Sequence, residues 1–275
     1  MPELPEVETI ARGLHKRVAG DVIESVWLGS KPEPLKSSAA EIAAALQAKK
    51  IMGVRRSGKH IVFDLAPERP SPASNGARPA QWIVHLGMTG SMQVCAPDSD
   101  REKHTHAVVS LASGRELRFV DPRRFGRLSV IEKFEAPGKE PLEISASDFA
   151  KLFRGRKALI KSALLNQKLL SGVGNIYADE ALFRARVRPR RRAASLTRQE
   201  LALLHKRLRR VLQEAIRLGG SSISDYVDAN GDEGFFQLRH RVYGREGKPC
   251  LVCKTAIKRV VIAGRSSHYC PKCQK

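Results

Sequence analysis

Along the first twenty positions apolar side chains return at Val7, Ile10, Leu14 and Val18, steps of three, four and four that place them on one face of a helix ending near Gly20. Pro5 suits the first turn of that helix, where no backbone N–H needs an intrahelical acceptor. Glu6 in the same turn meets the positive end of the helix dipole. From Val22 to about Val130 the pattern shortens to β-rich runs, VIESVWL, HIVFDL, WIVHL, HAVVSL and RFGRLSVI, separated by Gly, Pro and Ser. This texture predicts an antiparallel sandwich or barrel. The Pro-rich stretch at 67–80 reads as a surface loop.

A linker around 136–145 (APGKEPLEIS) ends the β-rich part. Helical patterning then covers about 147–154, 158–167 and 176–186. A longer helix starts at Thr197, whose Thr-x-x-Glu with Glu200 is a capping box. It carries Leu201, Leu204, Leu208, Val211 and Ile216 along one side, and Gly219-Gly220 stops it. The expected organisation is therefore an α+β multidomain chain with an N-terminal β-sandwich domain preceded by a helix (1–136), a helical domain (145–235) and a short tail (240–275).

Charge changes this picture. Residues 1–150 hold 21 Lys and Arg against 19 Asp and Glu, whereas residues 151–275 hold 28 against 9, so nearly all of the net +21 sits in the second half. A field of that kind attracts polyanions such as nucleic acid; a merely solvated basic face is the other reading. No apolar run approaches the roughly 18 residues a membrane span needs. With no basic-then-apolar leader at the start, an intracellular, cytoplasmic protein is expected.

The tail carries Cys250-x2-Cys253 and Cys270-x2-Cys273 with 16 residues between the pairs. That spacing fits one structural zinc held by four thiolates, with disulfides as the competing reading. Cys95 is left over, as a small buried hydrophobe.

The first eight residues, MPELPEVE, hold the remaining chemistry. If Met1 is removed, Pro2 becomes a terminal secondary amine. A terminal amine titrates near 7.7–8 rather than near 10.4 like lysine, so about a tenth is unprotonated at pH 7. Its adduct with a sugar carbon can collapse to a cationic iminium, an electron sink. Glu3 beside it could supply or remove protons.

PELPEVE at the start, SGKH at 57–60, HLGMTG at 85–90, DPRRFG at 121–126, GVGNIYADE at 172–180 and the two CxxC pairs occur in one order along the whole chain. Together they resemble the formamidopyrimidine-DNA glycosylases, bacterial enzymes that excise oxidised purines such as 8-oxoguanine from duplex DNA. The resemblance implies a bifunctional glycosylase and abasic-site lyase in base excision repair. Pro2 would form the Schiff base, Glu3 would handle protons, Lys59 would assist the β- and δ-eliminations, and Arg265 would bind a phosphate near the lesion with a further hint of a role in elimination.

The resemblance also implies that the damaged nucleotide leaves the stack and that Met88, Arg123 and Phe125 fill the gap. His104, Arg156, Lys161 and Asn175 match positions that contact DNA, the last two within a helix/two-turn/helix element. Cys250, Cys253, Cys270 and Cys273 match a zinc-ribbon hairpin. The Ser-rich loop at 221–230 matches the segment that closes over the extruded base, with no specific base contact assigned. Damaged double-stranded DNA is the expected partner, bound by a monomer. A protein that binds DNA or RNA without chemistry remains the alternative from composition alone, and PELPE and SGKH argue against it.

Overall fold

Helix α1 covers Leu4–Val18 and buries Leu4, Val7, Ile10, Ala11, Leu14 and Val18, the face the apolar spacing predicts. It starts one residue before Pro5, and Glu3 is its N-cap, in a reciprocal capping box with Glu6. The computed structural model describes residues 1–67, 80–222, 229 and 233–275. The Pro-rich loop and most of the Ser-rich loop at 221–230 lie outside the described residues.

Strands β1 (Ile23–Leu28), β2 (Lys49–Ser57), β3 (His60–Pro67), β4 (Ala80–His85), β5 (Ser91–Cys95), β6 (Thr105–Leu111), β7 (Glu116–Val120) and β8 (Arg127–Ile131) form two antiparallel sheets, in the orders β1-β6-β7-β5 and β2-β3-β4-β8. Ile23, Val109 and Leu117 from one sheet share a single core with Ile61, Phe63, Trp82 and Val84 from the other and with the inner face of α1. Two sheets facing one core make the expected sandwich.

Strands β2, β5 and β7 lie outside the β-rich runs named above, being short or carrying charges on their outer face. The stretch 22–130, expected to be β-rich throughout, also holds helix α2 at Ala39–Leu46. There Ser38 and Glu41 form a capping box in front of an alanine-rich run, so helix propensity and a cap agree locally.

Helices α3 (Ala146–Phe153), α4 (Ile160–Leu165), α5 (Asn175–Arg184) and α6 (Arg198–Arg217) follow close to the expected places. Thr197 and Glu200 cap α6 reciprocally, and the buried stripe of α6 includes Leu201, Leu204, Leu208 and Val211. Strands β9 (Lys258–Ile262) and β10 (Arg265–Tyr269) make an antiparallel hairpin.

The chain divides into two compact units, one of Met1–Glu135 with Ser221–Gly234, the other of Ala136–Gly220 with Phe235–Lys275. Ser221 and Ala229, expected with the helices, thus pack with the sandwich. Ser221 N–H donates to Glu6 Oε1 at 2.8 Å and Arg17 donates to Ala229 O at 2.8 Å. Helices and hairpin, expected as separate domains, share one unit.

Candidate functional site

The N-terminal cap is built from buried carboxylates. Pro2 is buried, Glu3 is 3% exposed and Glu6 is 2% exposed. Glu6 Oε2 accepts the Glu3 N–H at 2.8 Å while its other oxygen takes Ser221 N–H, so one carboxylate fixes the backbone beside Pro2 and ties it to a remote segment. With Met1 attached, the Pro2 nitrogen is an amide without a nucleophilic lone pair. Chemistry there requires Met1 to be gone.

Lys59 lies in the two-residue turn joining β2 to β3, behind Gly58 at φ +59°. A positive φ at the first central position is what a primed hairpin turn demands and what glycine supplies without strain. Arg56 donates to Glu8 of α1 at 2.7 Å and to the Gly58 carbonyl at 3.1 Å, with a side chain only 6% exposed. The helix that carries Pro2 and Glu3 is therefore bolted to the turn that carries Lys59. Sequence reasoning missed Arg56, which lies outside every motif, and the bracing role of Glu8 at the end of PELPEVE, because their pairing spans 48 positions.

Next to Lys59, His60 pairs across the ladder with His85, their rings 4.8 Å apart. Burial lowers the basicity of both, and takes His85 to about 4 with smaller contributions from the charges of His60, Lys59 and Arg127. The lysine turn accordingly rests on neutral imidazoles at neutral pH.

Two exposed loops hold the expected gap-filling residues. Met88 (41% exposed) follows Gly87, whose φ is +64°, and Phe125 (50% exposed) sits under the Arg123 guanidinium at 4.8 Å. His104 is exposed and its carbonyl accepts the Asp121 N–H at 3.0 Å, next to the second of these loops.

In the other unit, the GVGN turn leads into α5 with Gly172 at φ +97°. Gln167 shapes it, donating to Val173 O at 2.8 Å and accepting Gly172 N–H at 2.9 Å. Asn175 opens α5 and donates to Ser266 Oγ at 3.3 Å. Lys161 is 0% exposed. Its ammonium pairs with Asp179 at 2.7 Å and donates to Ser266 O at 2.6 Å, so it supports the hairpin from inside rather than presenting a cation to solvent. Asp179 also accepts the His268 N–H at 2.8 Å. Arg265, by contrast, is exposed at the start of β10 after a tight turn. Arg156 is exposed too, and donates to the Leu152 carbonyl.

The four cysteines converge. Their sulfurs all lie within 4.8 Å of one another, with Cys250–Cys273 at 3.9 Å and Cys253–Cys270 at 3.4 Å. Thiolates around one zinc at about 2.3 Å would stand about 3.8 Å apart, so the donors fit that ion, and these separations exclude disulfides. Backbone N–H groups of Val252 and Cys273 point at the sulfurs of Cys250 and Cys270, as charge-bearing thiolates favour. The hairpin packs on Phe183, Val242 and Ile257, a core too small to hold it without a metal.

The chain matches three family models: the formamidopyrimidine-DNA glycosylase N-terminal domain over residues 1–128, the H2TH domain of the same enzymes over 137–227, and a zinc finger found in FPG and IleRS over 247–275. It is 44% identical over 285 aligned residues to the formamidopyrimidine-DNA glycosylase of Solibacter usitatus, covering 100% of both chains. Among solved structures it is similar to Lactococcus lactis Fpg bound to DNA containing an abasic site, with a TM-score of 0.88 and 33% identity over 99% of each chain. A variant of that enzyme bound to Fapy-dG DNA matches with the same TM-score and identity over 100% of each chain.

Proposed function

The chain belongs to the formamidopyrimidine-DNA glycosylase family, and from that premise we propose that it excises oxidised purines and formamidopyrimidines from duplex DNA and cleaves the strand at the resulting abasic site. The N-terminal part expected over 1–136 carries the chemistry, the helices of the part expected over 145–235, α3 to α6, grip the backbone, and 240–275 form the zinc hairpin. The substrate sets the location, with DNA in the bacterial cytoplasm, and the protein acts as a monomer.

The Pro2 nitrogen attacks C1′ of the damaged nucleotide. The new C–N bond forms as the glycosidic bond breaks, and the base departs with a proton relayed by Glu3. Ring opening turns the adduct into an iminium. Removal of a C2′ proton then expels the 3′ phosphate, and a second elimination expels the 5′ phosphate. Lys59 assists these proton transfers, and Arg265 holds phosphate beside them. Met88, Arg123 and Phe125 fill the gap left by the extruded nucleotide, a state that costs a few kcal/mol of stacking.

His104 and Arg156 bind phosphates. Asn175 does so if its amide turns over, because the Ser266 hydroxyl can donate to the amide oxygen as readily as it accepts from the nitrogen. Zinc, held by Cys250, Cys253, Cys270 and Cys273, fixes the fold of the hairpin and takes no part in the chemistry.

The observation that carries this reading is the bracing of the Pro2–Glu3 helix against the Lys59 turn through Glu8, Arg56 and the Gly58 carbonyl. Borohydride trapping on a duplex containing 8-oxoguanine tests it. A covalent protein–DNA adduct is expected from protein lacking Met1, much less from Pro2→Gly, whose terminal primary amine still forms an imine, and none from protein that retains Met1. Full trapping by protein shown by mass spectrometry to retain Met1 refutes Pro2 as nucleophile, and no trapping on any oxidised purine favours a binding protein without chemistry.

A further inference from the structure

Asp121 is 0% exposed, and every one of its polar atoms is engaged. Its Oδ1 accepts the Thr89 hydroxyl at 2.6 Å and the Arg123 N–H at 3.3 Å, while Oδ2 accepts the Gly126 N–H at 2.7 Å. Its own N–H donates to His104 O at 3.0 Å, and its carbonyl meets His106 Nε2 at 3.0 Å and the Arg124 N–H at 3.2 Å. One carboxylate thus joins the loop that carries Met88 to the loop that carries Arg123 and Phe125.

The two loops also touch through backbone. A side chain at Gly87 would place Cβ 2.4 Å from the Phe125 carbonyl carbon and 2.5 Å from Gly126 N. At Gly126 it would lie 2.5 Å from the Phe119 ring and 3.1 Å from Asp121 Oδ2. Glycine at both positions lets the loops close upon each other, and the carboxylate supplies the directional bonds at their junction.

We infer that Asp121 is a positioning residue that makes the two gap-filling loops a single pre-assembled wedge, an inference that rests on the wedge role given above to Met88, Arg123 and Phe125. A loose loop must be ordered as it enters the stack, at an entropic cost for each residue fixed, in addition to the cost of unstacking. A wedge clamped in advance meets only the second cost. An asparagine at 121 has one acceptor oxygen and an NH2 group in place of the second; the Thr89 hydroxyl can turn to accept from that NH2, but either orientation of the amide sets the NH2 against a backbone N–H, that of Arg123 or that of Gly126. Valine at 89 keeps the shape of threonine and removes only its bond to Asp121.

The test compares excision of 8-oxoguanine from a duplex with excision from the same strand alone, where little stacking opposes extrusion. Melting curves check that each variant is folded. Met88→Ala tests the wedge itself and should lower the duplex-to-single-strand rate ratio. Asp121→Asn should lower that ratio roughly tenfold, as loss of a hydrogen bond to a charged group allows. Thr89→Val should lower it in the same sense, and Thr89→Ser, which keeps the hydroxyl, should restore it.

If the clamp acts only through the wedge, Met88→Ala combined with Asp121→Asn falls by less than the product of the two single effects. Should Asp121→Asn fail to fold, Thr89→Val and its serine rescue carry the test. An unchanged ratio in the folded Asp121 or Thr89 variants beside a reduced ratio in Met88→Ala overturns the clamp and leaves the wedge standing, as do fully multiplicative effects. An unchanged ratio in Met88→Ala overturns the wedge reading itself.

Discussion

Replacing Lys161 by methionine should damage the second unit without altering the salt dependence of DNA binding, and replacing Arg265 by alanine should do the reverse. The methionine keeps most of the lysine volume and removes the ammonium, which sits 2.7 Å from Asp179 and 2.6 Å from Ser266 O with no exposure. Asp179 is then left as a buried carboxylate supported by the His268 backbone N–H and its ring. Breaking a buried pair by removing one partner costs about 3–5 kcal/mol. At about 3 °C for each kcal/mol, melting should fall on the order of 10 °C.

The ammonium is already neutralised and shielded from solvent, so its loss should leave the slope of log K against log salt nearly unchanged. Arg265 is exposed at the hairpin turn. Its removal should change stability by less than about 0.5 kcal/mol and reduce the slope by about 0.9, the contribution of one phosphate. Adding Asp179→Asn to Lys161→Met should recover part of the lost stability, because the uncompensated charge is gone while an acceptor for His268 remains. Calorimetry and binding titrations from 50 to 300 mM salt read both quantities. Unchanged melting in Lys161→Met together with a slope reduced by one phosphate would show that the ammonium leaves Asp179 for DNA.

Chelation of zinc, or Cys253→Ser, should release the hairpin and weaken DNA binding while the sandwich stays folded; exchange protection retained in β9 and β10 after metal removal would contradict this. Burial holds His85 and His240 at about 4, against 6.5 when unfolded. Since the folded pKa is depressed, the stability they contribute is complete above pH 6.5 and is lost as the pH falls toward 4, roughly 2 kcal/mol from each by pH 5. Urea midpoints equal at pH 7.5 and pH 5 would rule that out, and His85→Gln should flatten the slope between them. Gly87→Ala places a Cβ against the Phe125 backbone at φ +64°, so it should cost about 2 kcal/mol or more and impair excision from duplex DNA; an unchanged urea midpoint would refute the close approach.

Much of the molecule was legible along the chain because the signals were local. The face of α1, the Thr197 cap of α6, the separation of a β-rich from a helical part and the paired CxxC spacing each depend on residues within a turn or two of one another. Helix α2 carried an equally local signal in Ser38, Glu41 and its alanines, and was obscured by the β-rich texture around it. Strand β2, with a bulge between Ile51 and Gly53 and charges on its outer face, offered no clean alternation.

Tertiary structure decided the environment of each charge, because burial and partners come from residues distant in sequence. Lys161 and Arg265 look alike as basic residues in a basic half. Only folding puts the first beside Asp179 and Ser266 and leaves the second in water. The return of Ser221 to Glu6 spans 215 positions, the bracing of Arg56 on Glu8 spans 48, and the bond from Thr89 to Asp121 spans 32. Periodicity and short motifs report only what near neighbours do to one another, so the chain announces most of its elements and the places of its motifs. The bonds that aim those residues exist only once distant segments have closed the core and excluded the water that would otherwise satisfy them.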